Sequence, residues 1–320
     1  DDRKYKYMKP KSKDQKSVLL VALGGNALIR RGQTGTAQEQ LENLKVPARQ
    51  IARLSRHYRV IITHGNGPQV GNLMLQQECC DTVERQPLEI LVAQTQGQIG
   101  YMIESTLDEA LMDLGINVQP LVSLISYVVV DEQDPAFKNP SKPIGPTFSE
   151  QQAAHLPYPL VETTSGYRRV VVSPRPVTIV EKREIKALIE LGFIVICCGG
   201  GGIPVIRRGR TFDGVDAVID KDLASARLAE EVGVDLFVMA TDVKGVALDF
   251  GTPEERFLRS VSLDDAAQYM LQDQFSAGAM LPKVEAAMQF VHGGGKKAVI
   301  ASIDELEKAV KGKAGTEFVR

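Results

Sequence analysis

The sequence predicts an open α/β fold, a mainly parallel β-sheet with helices on both of its faces. Short β-rich apolar runs alternate along the chain with longer stretches whose apolar residues recur at helical spacing. The short runs are apolar at consecutive positions rather than at every second one, as expected of strands buried on both sides. Three of them end in glycine-bearing loops, "VALGGNAL", "ITHGNGPQVG" and "CCGGGGIPV", at the strand ends where open parallel sheets hold ligands.

Residues 18–23 read as the first strand, 37–56 as a helix and 60–63 as the second strand. A helix starts near Pro68, since proline fits a first helical turn, and it continues through "NLMLQQECC". Later strands fall at 193–198, 236–240 and 298–301, with helices at 181–191, 223–232 and 284–291. Between Asp131 and Pro176 eight prolines (135, 140, 143, 146, 157, 159, 174 and 176) exclude a long helix and mark an inserted subdomain or lid with its own short hairpin. Residues 1–16 lack apolar periodicity and are set apart as a disordered or non-native tail.

Composition narrows the function. The 320 residues are 43% apolar and 24% charged, with a formal charge of -2, so no basic field calls for a nucleic acid. The apolar runs stop short of the ~18 residues of a membrane span, and a soluble, cytoplasmic protein is expected. The four cysteines form two adjacent pairs, Cys79-Cys80 and Cys197-Cys198, without the spacing of a zinc site. They read as reduced and mostly packed.

Glycine at the start of a helix lets an anion approach the unpaired N–H groups there. A single such cluster reads first as a tight strand-to-helix turn, but three on three strand ends point to phosphate. The four glycines after Cys198 follow a buried strand directly and lack the composition of a flexible linker. The usual P-loop and the protein-kinase motifs are absent. "GNGPQVG" matches a loose dinucleotide pattern, which keeps a nicotinamide-dependent oxidoreductase as an alternative.

Phosphoryl transfer needs cations around the migrating group. Asp220, Lys221 and Asp222 open a helix, where the aspartates serve equally as helix-start acids and Lys221 as a solvated side chain. Lys283, behind Pro282, opposes the macrodipole of its own helix, which makes sense if an anion binds there. Lys138 and Lys142 lie among the prolines and read on their own as solvated loop lysines. His64, in the second glycine loop, reads as a ligand, a base or a buried turn histidine.

Taken together, "LLVALGGNAL", "THGNGPQVGN", "NPSKPIGPTFSEQQA", "CCGGGGIPV", "DAVIDKDLASARLA", "TDVKGVALDFG" and "SAGAMLPKVEAA" resemble the carbamate kinases of the amino acid kinase superfamily, from about Val18 to the carboxyl terminus. The resemblance implies a three-layer αβα sandwich with a mainly parallel eight-stranded sheet, a protruding subdomain at about 128–176 and a homodimer. It implies an N-terminal lobe (17–215) for carbamate or carbamoyl phosphate and a C-terminal lobe (216–320) for the nucleotide. The reaction implied is ATP + carbamate = ADP + carbamoyl phosphate, usually run towards ATP where arginine is catabolised. Mg²⁺ would be held mainly by the nucleotide phosphates, with no metal ligands from the protein.

Carried over by position, Gly24, Gly25 and Asn26 would line the phosphoryl path, and Gly65, Asn66, Gly67, Gly200 and Gly201 would hold the carbamoyl end. Lys221 and Lys283 would neutralise the transferring phosphoryl group and the nucleotide phosphates, with Asp220 organising them. The nucleotide would lie against Thr241, Asp242, Val243, Phe250, Ser276, Gly278, Met280 and Pro282. Related amino acid kinases such as acetylglutamate kinase have a lysine where this chain has Ala22, and the resemblance assigns the missing charge to Lys142 instead. Leu281, Ala247, Val172 and Arg175 depart from the family pattern, at the adenine pocket and within the insert. A nucleotide-binding sensor keeping the fold without the chemistry is the alternative of a different class, and the presence of all three lysines speaks against it.

Overall fold

The computed structural model describes residues 16–30, 32–116, 119–163, 166–276 and 279–320. The expected tail is outside these apart from Lys16, whose ammonium donates to Ser55 O at 3.1 Å while its carbonyl accepts from Arg59 Nε at 2.8 Å.

Eight strands form the main sheet: β1 (Val18–Leu23), β2 (Arg59–His64), β3 (Leu121–Ser123), β4 (Ile194–Ile196), β5 (Leu236–Thr241), β6 (Ser260–Ser262), β7 (Lys297–Ser302) and β8 (Thr316–Val319). Their spatial order is β6-β8-β7-β5-β1-β2-β4-β3. Every pairing is parallel except β7 with β8. The expected parallel sheet is therefore present, with its carboxyl ends aligned where Leu23 pairs with both His64 and Ala240.

The continuous apolar runs arise because each strand buries both faces. In β1, Leu19, Val21 and Leu23 pack with Leu44 and Ile51 of helix α1 (Ala37–Ser55) and with Ile99, Ile103 and Leu107 of α3 (Leu88–Asp113). Val18, Leu20 and Ala22 point the other way, into a second core with α4 (Lys182–Glu190), α5 (Lys221–Val232) and α7 (Met280–His292). A full side-chain burial contributes about 1.5–3 kcal/mol, and an alternating strand would supply that on one face only. Two further helices are α2 (Gly67–Glu78) and α6 (Leu263–Leu271).

Local chemistry sets the helix ends. Thr36 caps α1 by accepting from the Glu39 amide while Glu39 reaches back, a reciprocal capping box. Proline occupies the first turn of α2, and Gly233 ends α5 in the left-handed region at φ 78°. No helix among the described residues is long and apolar enough to cross a membrane.

The proline-rich middle differs from its expectation of one short hairpin. Three strands, Lys142–Phe148, Gly166–Val171 and Leu160–Thr163, form an antiparallel sheet with the second in the centre. A separate four-stranded sheet, in the order Thr211–Gly214, Ile203–Arg208, Tyr127–Val130 and Pro176–Ile179, connects the insert to the body. The insert lies directly on α2, where a Cβ on Gly71 would fall 2.1 Å from Gly145 Cα. Only glycine allows backbones to meet this closely.

Candidate active site

The parallel register brings the three glycine loops to one edge of the sheet. After β1 the chain makes a 3₁₀ turn, Gly25–Ala27; after β2, Gly67 opens α2; after β4, Gly199–Gly201 form another tight turn. The four-glycine run owes its composition to protein packing. Gly200, Gly201 and Gly202 have φ of 66°, 90° and 87°, and Cys198 before them is also left-handed at 50°. A Cβ on Gly200 would meet Asn66 Nδ2 at 2.2 Å, and one on Gly199 would meet His64 Nε2 at 2.3 Å. The loop thus fits against the side chains of the second glycine loop, and it presents Gly200 to a cleft of about 260 Å³.

Around this cleft the amino termini of the Gly25 turn, α2 and α5 converge, with Ala279 and Lys283 from the start of α7. Helix amino termini present unpaired N–H groups and the positive end of the dipole, so the geometry favours an anion.

The lysines are held by carboxylates. Lys221 donates to Asp222 Oδ1, and Lys283 reaches Asp222 Oδ2 at 3.0 Å. Lys142, from the insert, donates to Asp220 Oδ2. The other Asp220 oxygen caps α5, accepting from the Asp222 amide at 2.9 Å and the Leu223 amide at 3.3 Å. Burial by itself raises a carboxyl pKa, but Lys221 and Lys283 outweigh it and hold Asp222 well below the carboxylate range. Burial and the neighbouring Asp222 likewise work against Asp220, and Lys142 and Lys221 together more than offset them, so that carboxyl is also low. Burial pulls Lys221 below the usual lysine value, Asp222 opposing and Lys283 adding to the fall. Burial pushes Lys283 down, but Asp222, Asp220 and Asp242 together outweigh it, so its net shift is upward.

The second wall comes from the insert: Lys142, Pro143 and Arg168. Arg168 is half-buried, and burial lowers its pKa. One guanidinium nitrogen donates to Gly145 O at 2.9 Å. Among the described residues no carboxylate lies within 4.0 Å of Arg168. Lining cations therefore exceed lining carboxylates by two, with Lys142, Arg168, Lys221 and Lys283 against Asp220 and Asp222.

Of the residues singled out from sequence, Gly25, Asn26, Gly65, Asn66, Gly67, Lys142, Gly200, Asp220, Lys221 and Lys283 line this cleft. Gly24 and Gly201 stand behind it, one hydrogen-bonded to Ala240 O at 3.2 Å and the other packed on Ile219. Thr241, Asp242, Val243, Phe250, Ser276, Met280 and Pro282 do not line it. Thr241 ends β5 and donates to Asp242 Oδ1 at 3.1 Å; Asp242 lies near enough to raise the Lys283 pKa; Phe250 is 62% exposed. Gly278 is outside the described residues.

His64 is buried, with Nδ1 against Gly65 O at 3.1 Å, and burial lowers its pKa to about 4, the Gly65 carbonyl opposing and Lys221 assisting. It is a neutral wedge between two glycine loops. Asp222 and Arg168 were not recognisable as site residues from sequence, and only the tertiary partners identify them. All four cysteines are free; Cys197 and Cys198 are buried, whereas Cys79 is exposed at the carboxyl end of α2, so that pair is not packed as expected.

No cluster of three or more histidine, cysteine or acidic side chains suited to a metal occurs among the described residues. Both cleft carboxylates are engaged by lysines, a donor set that fits a divalent ion arriving on a nucleotide better than a resident one.

The model of the amino acid kinase family matches residues 17–302. A carbamate kinase from Thermococcus kodakarensis is 47% identical over 312 residues, spanning 94% of this chain and 99% of its own. Carbamate kinase from Giardia lamblia bound to citric acid superposes with a TM-score of 0.89 at 36% identity, covering 95% of this chain and 98% of its own. The Giardia lamblia enzyme bound to AMP-PNP gives 0.85 at 37% identity over the same shares.

Proposed function

The chain belongs to the carbamate kinases of the amino acid kinase family and is a phosphotransferase, and from this premise we propose that it interconverts ATP and carbamate with ADP and carbamoyl phosphate. One observation carries the assignment to this cleft: three lysines from three separated segments converge with a ring of helix amino termini in a single small, positively charged pocket. That arrangement suits a phosphoryl group with one nucleophile in line, where catalysis is positioning plus electrostatic stabilisation.

A carbamate oxygen attacks the γ-phosphorus of ATP, the new P–O bond forms, and the bond to the ADP oxygen breaks. Carbamate already carries an anionic oxygen, so no side chain has to remove a proton. Neutral His64 is not needed as a base. Lys221 and Lys283 meet the charge on the transferring group and the nucleotide phosphates, with Asp222 fixing both ammonium groups. Lys142, on the insert, closes over the site, and the insert acts as a lid that excludes water from labile carbamoyl phosphate. Asn26 and the glycine-loop amides complete the oxygen contacts. Mg²⁺ would arrive on the nucleotide phosphates rather than on protein ligands and would supply further charge neutralisation there.

The nucleotide extends from the cleft across the end of β5 towards Thr241–Val243, Phe250 and the start of α7. This reading rests on the family resemblance. The lobe division near residue 215, a homodimer, a cytoplasmic location and net flux towards ATP in arginine catabolism belong to the same proposal and rest on the family resemblance.

The test is ATP formation from ADP, Mg²⁺ and fresh carbamoyl phosphate in a coupled assay, with metal-free and acetylglutamyl phosphate controls. Wild-type protein turns over carbamoyl phosphate alone and requires the metal. Lys142→Ala lowers turnover by about 100- to 1,000-fold, the usual effect of removing one stabilising donor, and leaves ADP binding nearly intact. Wild-type ADP binding without turnover would favour a nucleotide sensor; full turnover in Lys142→Ala would remove that lysine from the mechanism.

A further inference from the structure

We propose that Arg168 is the residue that recognises the planar carboxylate-like end of the acceptor, and so sets which small anion the enzyme phosphorylates. The proposal rests on the carbamate kinase reading of the same cleft.

The charge pattern singles Arg168 out. Lys142 has Asp220, and Lys221 and Lys283 share Asp222. Arg168 lines the same cleft without a carboxylate partner among the described residues. A partly desolvated guanidinium without a counter-ion is costly, and an arriving anion relieves that cost. Its hydrogen bond to Gly145 O, at 2.9 Å, engages one of five N–H groups.

The chemistry of the group fits a planar anion. A guanidinium presents a rigid fork matched to two carboxylate oxygens, whereas a lysine is a point charge. The three lysines suit the tetrahedral phosphoryl oxygens. The remaining fork suits the triangular carbamate, whose second oxygen stays free when the first attacks phosphorus.

The placement makes the contact conditional on a seated insert. Arg168 lies on the central strand of the three-stranded sheet, paired with Val161. Its hydrogen bond to Gly145 holds the residue whose Cα abuts Gly71 of α2. The side chain that would read the acceptor therefore also fixes the point where the insert meets the body. Neighbouring Arg169 is directed elsewhere, pairing with Glu78 at 2.5 Å and lying 4.1 Å over the Tyr158 ring. That neighbour is a matched control.

The experiment compares wild type, Arg168→Lys, Arg168→Gln and Arg169→Gln. Calorimetry follows bicarbonate, a planar analogue of carbamate, and sulfate, a tetrahedral analogue of the phosphoryl group. Coupled kinetics give separate KM values for carbamoyl phosphate and ADP. In both Arg168 variants bicarbonate binding and the KM for carbamoyl phosphate weaken by about 10- to 100-fold, the scale of a lost charge-assisted pair. Sulfate binding and the KM for ADP change less than twofold, and Arg169→Gln resembles wild type in all four. Equal weakening of bicarbonate and sulfate, or loss of ADP affinity with a lowered melting temperature, would show a purely structural role and overturn the proposal. Unchanged bicarbonate binding in Arg168→Gln would overturn it as well. Wild-type protein that binds bicarbonate through Arg168 but turns over no carbamoyl phosphate would sink the carbamate kinase reading and leave the anion site standing.

Discussion

Asp222→Asn offers the sharpest test of the electrostatic account, because the exchange keeps the shape and removes one charge. Asp222 is 2% exposed, and its two oxygens each accept from a different lysine. The amide can accept from only one of them and must turn its NH₂ towards the other. Two buried ammonium groups are then left with no carboxylate shared between them. Breaking a buried ion pair by removing one partner costs about 3–5 kcal/mol. An independent ceiling comes from proton release: neutralising a lysine at pH 7, more than three units below its ordinary pKa, costs about 4–5 kcal/mol at 1.36 kcal/mol per unit. Lys221, which burial already pulls down, gives up its proton more readily than that. The expected loss of stability at pH 7 is therefore about 3–4 kcal/mol. The pH dependence has a definite sign. A lysine whose folded pKa lies below its unfolded value binds fewer protons when folded, so stability rises with pH between the two values. Urea unfolding followed by circular dichroism should show the deficit of the variant shrinking from pH 7 to pH 9, and sulfate should stabilise the variant more than wild type. A deficit below 1 kcal/mol at pH 7, or one independent of both pH and sulfate, would refute the idea that Asp222 is the counter-charge of the lysine pair.

Two further outcomes follow from the glycine loops. Gly200→Ala places a Cβ in the left-handed region and 2.2 Å from Asn66 Nδ2, so it should lower stability by about 1–3 kcal/mol and reduce turnover by displacing Asn66; unaltered turnover would show that Asn66 has no positional role. His64, held at about 4, should show ring resonances that do not titrate between pH 5.5 and 8. Because its folded pKa lies below the unfolded one, its contribution is complete above about pH 6.5 and is lost as pH falls towards 4, on the order of 3 kcal/mol in all; an NMR midpoint near 6.5 would contradict its burial as a neutral ring.

The parts of the fold legible in sequence are those fixed by near neighbours. The continuous apolar runs betray two-sided burial, and Pro68 marks a helix start. The long helix α3 is hidden in the sequence because polar residues interrupt its apolar stripe. Thr95, Gln96 and Thr106 are buried nonetheless, since each has a partner: Thr95 accepts from Asn66 Nδ2 at 2.9 Å, Gln96 bonds the Ser126 backbone, and Thr106 donates to Met102 O. Buried polar groups with partners are stable, but a sequence does not show the partner. The site divides in the same way. Glycines after strands and a lysine opposing its own helix dipole announce an anion. Asp222 passes for an ordinary helix-start acid until the fold brings Lys283 to it from 61 residues away. Arg168 is indistinguishable from Arg169 until the insert's pairing sends one into the cleft and the other to Glu78.

Asp220 shows why such a pocket can remain rigid while its cations change partners. One of its oxygens caps α5, and the other accepts from Lys142 across the boundary between body and insert. In the proposed mechanism a phosphoryl group draws Lys142 away while the capping oxygen keeps its two amide bonds, so the first turn of α5, with Lys221 upon it, stays in place. On that proposal, the lysine of the insert exchanges a carboxylate for a substrate without disturbing the dipoles already aimed at that substrate. Preorganisation of this kind is what electrostatic catalysis requires, because donors that must reorient during the reaction lose much of their effect. Lys221, Lys283 and Asp222 are thus built into the body of the fold, and Lys142 stands on the insert, the element proposed to close.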